Sequence, residues 1–136
     1  MRRVGIRRYN IDNGAAEKKV LVVDDSPTIV QAAYDELNDQ GYEVEVAYDG
    51  MEALKLLEKM VPDIIILDIE MPKMKGYETA EKIRSNPALA KVPLIALTAV
   101  SLKTLGEKAK FFDAYLVKPF GFEEMIELVR KTIGRP

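Results

Sequence analysis

Asp24, Asp25, Asp68, Thr98 and Lys118 each stand where a short apolar run ends. The runs are Val20-Leu21-Val22-Val23, Ile64-Ile65-Ile66-Leu67, Leu94-Ile95-Ala96-Leu97 and Tyr115-Leu116-Val117. Carboxylates gathered in one place repel one another, so a cluster of three stays ionised only beside compensating positive charge. Lys118 offers one such charge. A Mg²⁺ ion, which takes one or two carboxylates, a backbone carbonyl and several waters, offers another. Asp49 and Asp63 stand at similar places but read as a helix cap or loop carboxylate.

The elements that must position these residues follow from the same runs. Short stretches of branched residues that stop at a polar side chain are the mark of parallel strands buried on both faces. The first strand runs to Val23. Ser26 then serves as N-cap with Pro27 at the first helical position. The first helix places Ile29, Ala33 and Leu37 inward and closes at Gly41. The second strand, Glu43 to Ala47, alternates as an edge strand does. The second helix turns Ala53, Leu54, Leu57 and Val61 inward and stops at Pro62. A third helix spans about Tyr77 to Arg84, a short fourth lies within Leu102 to Phe111, and a fifth covers about Phe122 to Thr132. Five strands alternating with five helices give an α/β, three-layer αβα, doubly wound parallel sheet with right-handed crossovers. The flavodoxin-like (βα)5 strand order 2-1-3-4-5 sets strands 1 and 3 side by side, so Asp24, Asp25 and Asp68 meet at the switch point.

Composition narrows the chemistry. The chain has 136 residues, 48% of them hydrophobic, which suits one domain with a substantial core. It holds neither cysteine nor histidine. That removes disulfides, thiolate nucleophiles, Ser-His-Asp catalysis and the usual zinc sites. No apolar stretch is long enough for a membrane span, and no signal peptide is evident. Cytoplasmic localisation is the expectation. Residues 1–19 carry six cations against two acids, a net of +4; with −2 for the whole chain, the remainder carries −6. An acidic body argues against nucleic acid as the main ligand. The expected layout is a flexible basic arm over 1–18, a domain over 19–133 and a tail over 134–136.

The motifs Val22-Val23-Asp24-Asp25-Ser26-Pro27, Asp49-Gly50-Met51-Glu52-Ala53-Leu54, Asp63 to Pro72, Leu97-Thr98-Ala99 and Tyr115 to Phe120 occur in one order and spacing. Together they resemble the CheY-like receiver domains of two-component response regulators, over about Lys19 to Thr132. The resemblance implies a phosphorelay phosphoprotein that is not an enzyme, although it assists its own phosphorylation and dephosphorylation. Asp68 is the implied phosphoacceptor, forming an aspartyl phosphate. Asp24, Asp25, Asp68 and the backbone carbonyl of Glu70 are the implied ligands of Mg²⁺, for which Mn²⁺ can substitute. Thr98 and Lys118 are implied to bind the phosphoryl group, Tyr115 to act as the aromatic switch, and the Lys118–Pro119 peptide to be cis. The implied partners are a histidine kinase or histidine phosphotransfer protein in trans and a downstream protein met through helix 4, strand 5 and helix 5. Neither membrane nor direct nucleic-acid contact is expected, and a stand-alone receiver is the expected form.

Two stretches depart from the family. Phe111-Phe112-Asp113 replaces the usual Gly-Ala-Asp or Gly-Ala-Asn, and the interval from Thr98 to Lys118 is about two residues short. A clipped helix 4, weakened further by Gly106, is expected, and either one phenylalanine fills core volume left by the shorter helix or the pair makes a partner surface. Lys75 stands where an acidic or small polar residue is common, and Glu70 and Val100 occupy positions that tune water access. Three rivals fit less well. A dehalogenase-type phosphohydrolase wants an aspartate two residues after Asp68, where Glu70 stands. A dinucleotide-binding domain wants a glycine-rich turn where Asp24-Asp25-Ser26-Pro27 stands. A receiver-like scaffold that is never phosphorylated would usually have lost an acidic residue or the lysine.

Overall fold

The structure, a computed structural model, describes residues 18–71 and 76–136, apart from the side chain of Leu102. The basic arm up to residue 17, Pro72 and Lys75 lie outside the described residues. Five parallel strands pair in the order β2-β1-β3-β4-β5: β1 Lys19–Val23, β2 Glu43–Ala47, β3 Ile64–Asp68, β4 Leu94–Thr98 and β5 Ala114–Val117. Alternation divides the side chains between two layers. Leu21, Val23, Ile65, Leu67, Leu94 and Ala96 pack on one face, and Val20, Val22, Ile64, Ile66, Ile95 and Leu97 on the other. Every residue of β3 and β4 is buried, so these strands read as unbroken apolar runs rather than alternating ones.

Helices cover both faces. α1 (Pro27–Asp39) is capped by Ser26, whose Oγ accepts the Ile29 N–H, and Gly41 follows its C-terminus as expected. Its buried residues are Val30, Ala33 and Leu37; Ile29 is only half-buried. The inward stripe therefore begins one residue later than the sequence suggests. α2 (Gly50–Leu57) is capped by Asp49, which accepts the Glu52 N–H. It ends well before Pro62, leaving Val61 outside the helix and 54% exposed rather than inward. Tighter bonds from Glu58 N to Lys55 O and from Lys59 N to Leu56 O close it, and the residue before a proline disfavours helical geometry. Asp63 accepts the Lys19 N–H at 2.7 Å, a loop carboxylate as expected. α3 spans Gly76–Ser85 and α5 Phe122–Ile133.

The fourth helix is clipped: α4 covers only Leu102–Leu105, and a 3₁₀ segment, Gly106–Phe111, completes the connection. Gly106 stands at φ 62, a left-handed conformation that breaks the helix there and that other residues rarely adopt. Phe112 is buried and fills core volume, while Phe111 is half-buried and packs against the same cluster from its edge.

Arg84, near the C-terminus of α3, holds this irregular stretch in place. Its Nε donates to Phe111 O (2.9 Å), its Nη1 to Ala90 O (3.0 Å) and Val92 O (2.7 Å), and its Nη2 to Asp113 Oδ2 (2.8 Å). Asp113 Oδ2 also accepts the Leu94 N–H at 2.8 Å. A planar fork can serve these four acceptors at once, and an ammonium cannot. Arg84→Lys is therefore expected to lose roughly 1–3 kcal/mol in urea denaturation despite keeping its charge. An unchanged midpoint contradicts the clamp.

Candidate functional site

β1 and β3 are adjacent, with Val23 in register with Leu67, so the carboxylates that follow them converge. Side-chain oxygens of Asp24, Asp25 and Asp68 lie within 4.8 Å of one another. Asp24 and Asp68 are buried, whereas Asp25 is exposed at the rim. Each buried carboxylate has one oxygen tied to the backbone. Asp24 Oδ1 accepts the Ser26 N–H at 2.9 Å, and Asp68 Oδ1 accepts the Glu70 N–H at 3.0 Å. The other oxygens face Lys118, whose Nζ lies 3.3 Å from both Asp24 Oδ2 and Asp68 Oδ2. The sequence offered Lys118 as a compensating charge for the cluster; here it is shared equally by Asp24 and Asp68.

The lysine is placed by β5. Lys118 N donates to Thr98 O at 2.8 Å, and the Lys118–Pro119 peptide is cis, as expected. Thr98 closes β4 one residue beyond Leu97, the register partner of Asp68. It is buried, and its Oγ1 accepts the Val100 N–H at 3.0 Å. Tyr115 stands in register with Ala96 and is 41% exposed. Glu70 reaches across the site to Ala99 N at 3.4 Å. Gly76 closes the loop after β3: a Cβ there would lie 2.2 Å from Ile69 Cα and 2.4 Å from Asp68 O, so the backbone approach excludes any side chain. A groove of about 530 Å³, lined by Asp25, Glu70, Met71, Tyr77, Leu105 and Lys108 among others, opens beside the carboxylates. In it Lys108 Nζ sits 4.1 Å above the Tyr77 ring.

Charge is poised rather than balanced. Burial pushes the Asp68 carboxyl up to about 6 from its ordinary 3.8. The Glu70 N–H opposes this, the Asp24 carboxylate adds to it, and Lys118 opposes it again. Burial also works against the Lys118 ammonium, but Asp68 and then Asp24 outweigh it and hold its pKa above the ordinary value. Asp24 Oδ2 is buried, and its one donor is the shared Lys118 ammonium at 3.3 Å. A carboxylate oxygen left in that state, beside two further carboxylates, fits a hard divalent cation bound through oxygen.

The sequence motifs missed the Arg84–Asp113 clamp and did not say how Lys118 divides itself among the carboxylates. An arginine in the last turn of a helix was a faint signal for the first. Nothing in the sequence showed the second.

A carboxylate cluster and a lysine at the switch point of a five-stranded doubly wound sheet place the protein among CheY-like signalling domains of the flavodoxin-like fold. The family model of the response regulator receiver domain matches residues 20–130, and the chain belongs to that family. It is 37% identical to the chemotaxis protein CheY4 of Vibrio cholerae, with a TM-score of 0.81 over 86% of this chain and 99% of that one. It is 41% identical to the response regulator TrrA of Thermotoga maritima in complex with Mg(2+)-BeF, with a TM-score of 0.76 over 85% of this chain and 98% of that one. Among curated relatives it is 35% identical to the DNA-binding dual master transcriptional regulator RpaA of Synechocystis, over 86% of this chain and 49% of the relative. It is also 35% identical to the transcriptional regulatory protein PdtaR of Mycobacterium tuberculosis, over 90% of this chain and 60% of the relative. The chain thus spans about half the length of the curated relatives it matches. It is a response regulator receiver domain with an acidic site of the kind used for Mg²⁺ and phosphorylation, a signalling domain rather than a classical enzyme. Among the described residues no helix is long and apolar enough to cross a membrane.

Proposed function

We propose that Asp68 accepts a phosphoryl group from a phosphohistidine of a histidine kinase or phosphotransfer protein, with the divalent ion held by Asp24, Asp25, Asp68 and the Glu70 carbonyl. The single observation that carries this reading is the buried Asp24–Asp68 pair, whose outer oxygens have the one Lys118 ammonium between them. The sequence contains no histidine, so none within it is the donor. Bound Mg²⁺ neutralises the charge on phosphoryl oxygens, and Mn²⁺ serves the same oxygen ligands. The ionised Asp68 Oδ2 attacks phosphorus, the bond to the donor nitrogen breaks, and the donor imidazole leaves with that electron pair. Lys118 then pairs with the new phosphoryl group, and the Thr98 hydroxyl donates to one of its oxygens.

Thr98 and Tyr115 link the site to the surface. A doubly charged group on Asp68 draws Thr98 inward, and Tyr115 takes the space it leaves. That shifts the balance between two packings of α4, β5 and α5. The readout is contact with a downstream protein rather than direct contact with nucleic acid, in keeping with the acidic body. The same residues assist removal of the phosphoryl group by water, and the protein works in the cytoplasm away from the membrane.

Incubation with Mg²⁺ and a small acyl phosphate tests the reading. The expected result is one added phosphoryl group per chain by intact mass, lost on chelation of the metal. Absence of any gain favours an unphosphorylated scaffold, and steady turnover of the donor favours a phosphohydrolase.

A further inference from the structure

We propose that the groove beside the carboxylates is a leaving-group subsite for small acyl phosphates, with Lys108 as its specificity-determining residue and an apolar or aromatic acyl group as its preferred occupant. This rests on Asp68 as the phosphoacceptor and adds a small-molecule donor to the protein one. Continuity is the first argument. Asp25 lines the groove, and a carboxylate oxygen of it lies within 4.8 Å of those of Asp24 and Asp68. Ile69 and Glu70, which also line it, follow Asp68 directly, and the Glu70 N–H donates to Asp68 Oδ1 at 3.0 Å. A donor reacting at Asp68 has the groove within reach of its far end. The volume of about 530 Å³ suits a small ligand, for which pockets of about 300–1,000 Å³ are usual.

The groove's apolar surface and its cation come from the segment that departs from the family. Gly106–Phe111 is a 3₁₀ segment, in which residues three apart lie one above another. Leu105, its N-cap, and Lys108 thus share one face, and both line the groove. Tyr77, in the first turn of α3, adds an aromatic wall. Leu105 and Tyr77 are half-buried, so apolar surface stays open beside the buried Ile69 and Met71.

Lys108 is uncommitted. Its Nζ lies 4.1 Å from the centre of the Tyr77 ring, which holds the ammonium at the groove wall. Among the described residues no carboxylate pairs with it, whereas Lys110 pairs with Glu107 at 3.8 Å. A free cation beside apolar surface suits a ligand whose anionic atom adjoins an apolar group. An acyl phosphate takes that form as it reacts. Asp68 Oδ2 bonds to phosphorus, the bond from phosphorus to the acyl oxygen breaks, and that oxygen leaves with the electron pair as a free carboxylate. No proton moves. Charge grows on the acyl oxygen in the transition state, where a nearby cation accelerates the reaction. The imidazole of a phosphohistidine leaves without negative charge and gains nothing from Lys108.

The test compares rates of phosphoryl uptake from acetyl phosphate, benzoyl phosphate and phosphoramidate with Mg²⁺, read by intact mass with Asp68→Asn as the blank. Phosphoramidate releases uncharged ammonia and is the reference for each variant, so the ratio of rates cancels any loss of folded protein. The two acyl donors release carboxylates of similar basicity. Benzoyl phosphate is nevertheless expected to react on the order of tenfold faster, because its ring buries several more carbons. In Lys108→Met both acyl ratios should fall roughly fivefold, the scale of one exposed charge pair, and in Lys108→Glu further. Lys108→Arg should keep most of both, and Leu105→Ala should lower the benzoyl ratio more than the acetyl one. If phosphoramidate labels Asp68 but the acyl ratios ignore Lys108→Met and Lys108→Glu, or benzoyl phosphate has no advantage, the subsite is overturned and the phosphoacceptor reading stands. If no donor labels Asp68, that reading fails and the subsite falls with it.

Discussion

In divalent-free buffer at pH 7, Asp68→Asn is expected to unfold at higher denaturant concentration than the parent chain while accepting no phosphoryl group. Asp68 is 1% exposed, and burial is the main reason its carboxyl is pushed up to about 6 from 3.8. The folded value lies above the unfolded one, so the native state keeps the proton longer. At or below about pH 4 the carboxyl costs the fold little. As pH rises through about 6 the native state must ionise a buried group, and stability falls to a lower plateau. A shift of about two pKa units corresponds to roughly 3 kcal/mol. That figure already includes the attraction of Lys118; an amide escapes it but leaves the ammonium facing Asp24 alone, so a gain of roughly 1–2 kcal/mol at neutral pH is expected. Urea denaturation across pH 4 to 8 checks the sign: the gain should be absent at the acid end and present above about pH 6. Mg²⁺ should stabilise the parent more than the variant, because a ligand that binds only the folded state adds stability in proportion to its site occupancy. A variant less stable than its parent at pH 7 contradicts the account of Asp68.

Lys118→Ala is expected to act in the opposite direction. Its ammonium lies between Asp24 Oδ2 and Asp68 Oδ2, and both carboxylates are buried. Removing one partner of a buried ionic cluster leaves uncompensated charge and costs roughly 3–5 kcal/mol. The lysine's raised pKa keeps its contribution fully in place below the unfolded value of about 10.4, so the loss should appear at pH 7 without titration effects. Mg²⁺ should restore much of the lost stability, because the vacated charge deficit is what a divalent ion neutralises. Phosphoryl uptake should still fall, since the cation beside the reacting oxygen is gone. Denaturation with and without Mg²⁺ separates these effects. Equal stability of parent and variant in metal-free buffer contradicts the shared-lysine geometry.

The sheet was legible because β3 and β4 are buried on both faces, and such strands announce themselves as apolar runs ending at functional residues. The caps Ser26 and Asp49 and the break at Gly106 were legible too, since each follows from local chemistry. What the sequence hid depends on distant partners. Val30 displaces Ile29 from the core through a slight rotation of the α1 stripe, which periodicity does not resolve. Arg84 finds its acceptors at Ala90, Val92, Phe111 and Asp113, all brought near by the sheet. Within the site, residue types and strand ends pointed to a metal and an anion. The equal sharing of Lys118 between Asp24 and Asp68 required coordinates, because two carboxylates on adjacent strands offer a lysine equivalent choices.

The most direct measurement is chemical trapping of the phosphorylated residue. An aspartyl phosphate is an activated acyl group, and borohydride reduces it to the alcohol of homoserine with loss of phosphate. After incubation with Mg²⁺ and an acyl phosphate donor, followed by reduction and proteolysis, homoserine should appear at position 68 and nowhere else. Homoserine at Asp24 or Asp25, or no reducible residue at all, would contradict the assignment of Asp68 as the phosphoacceptor.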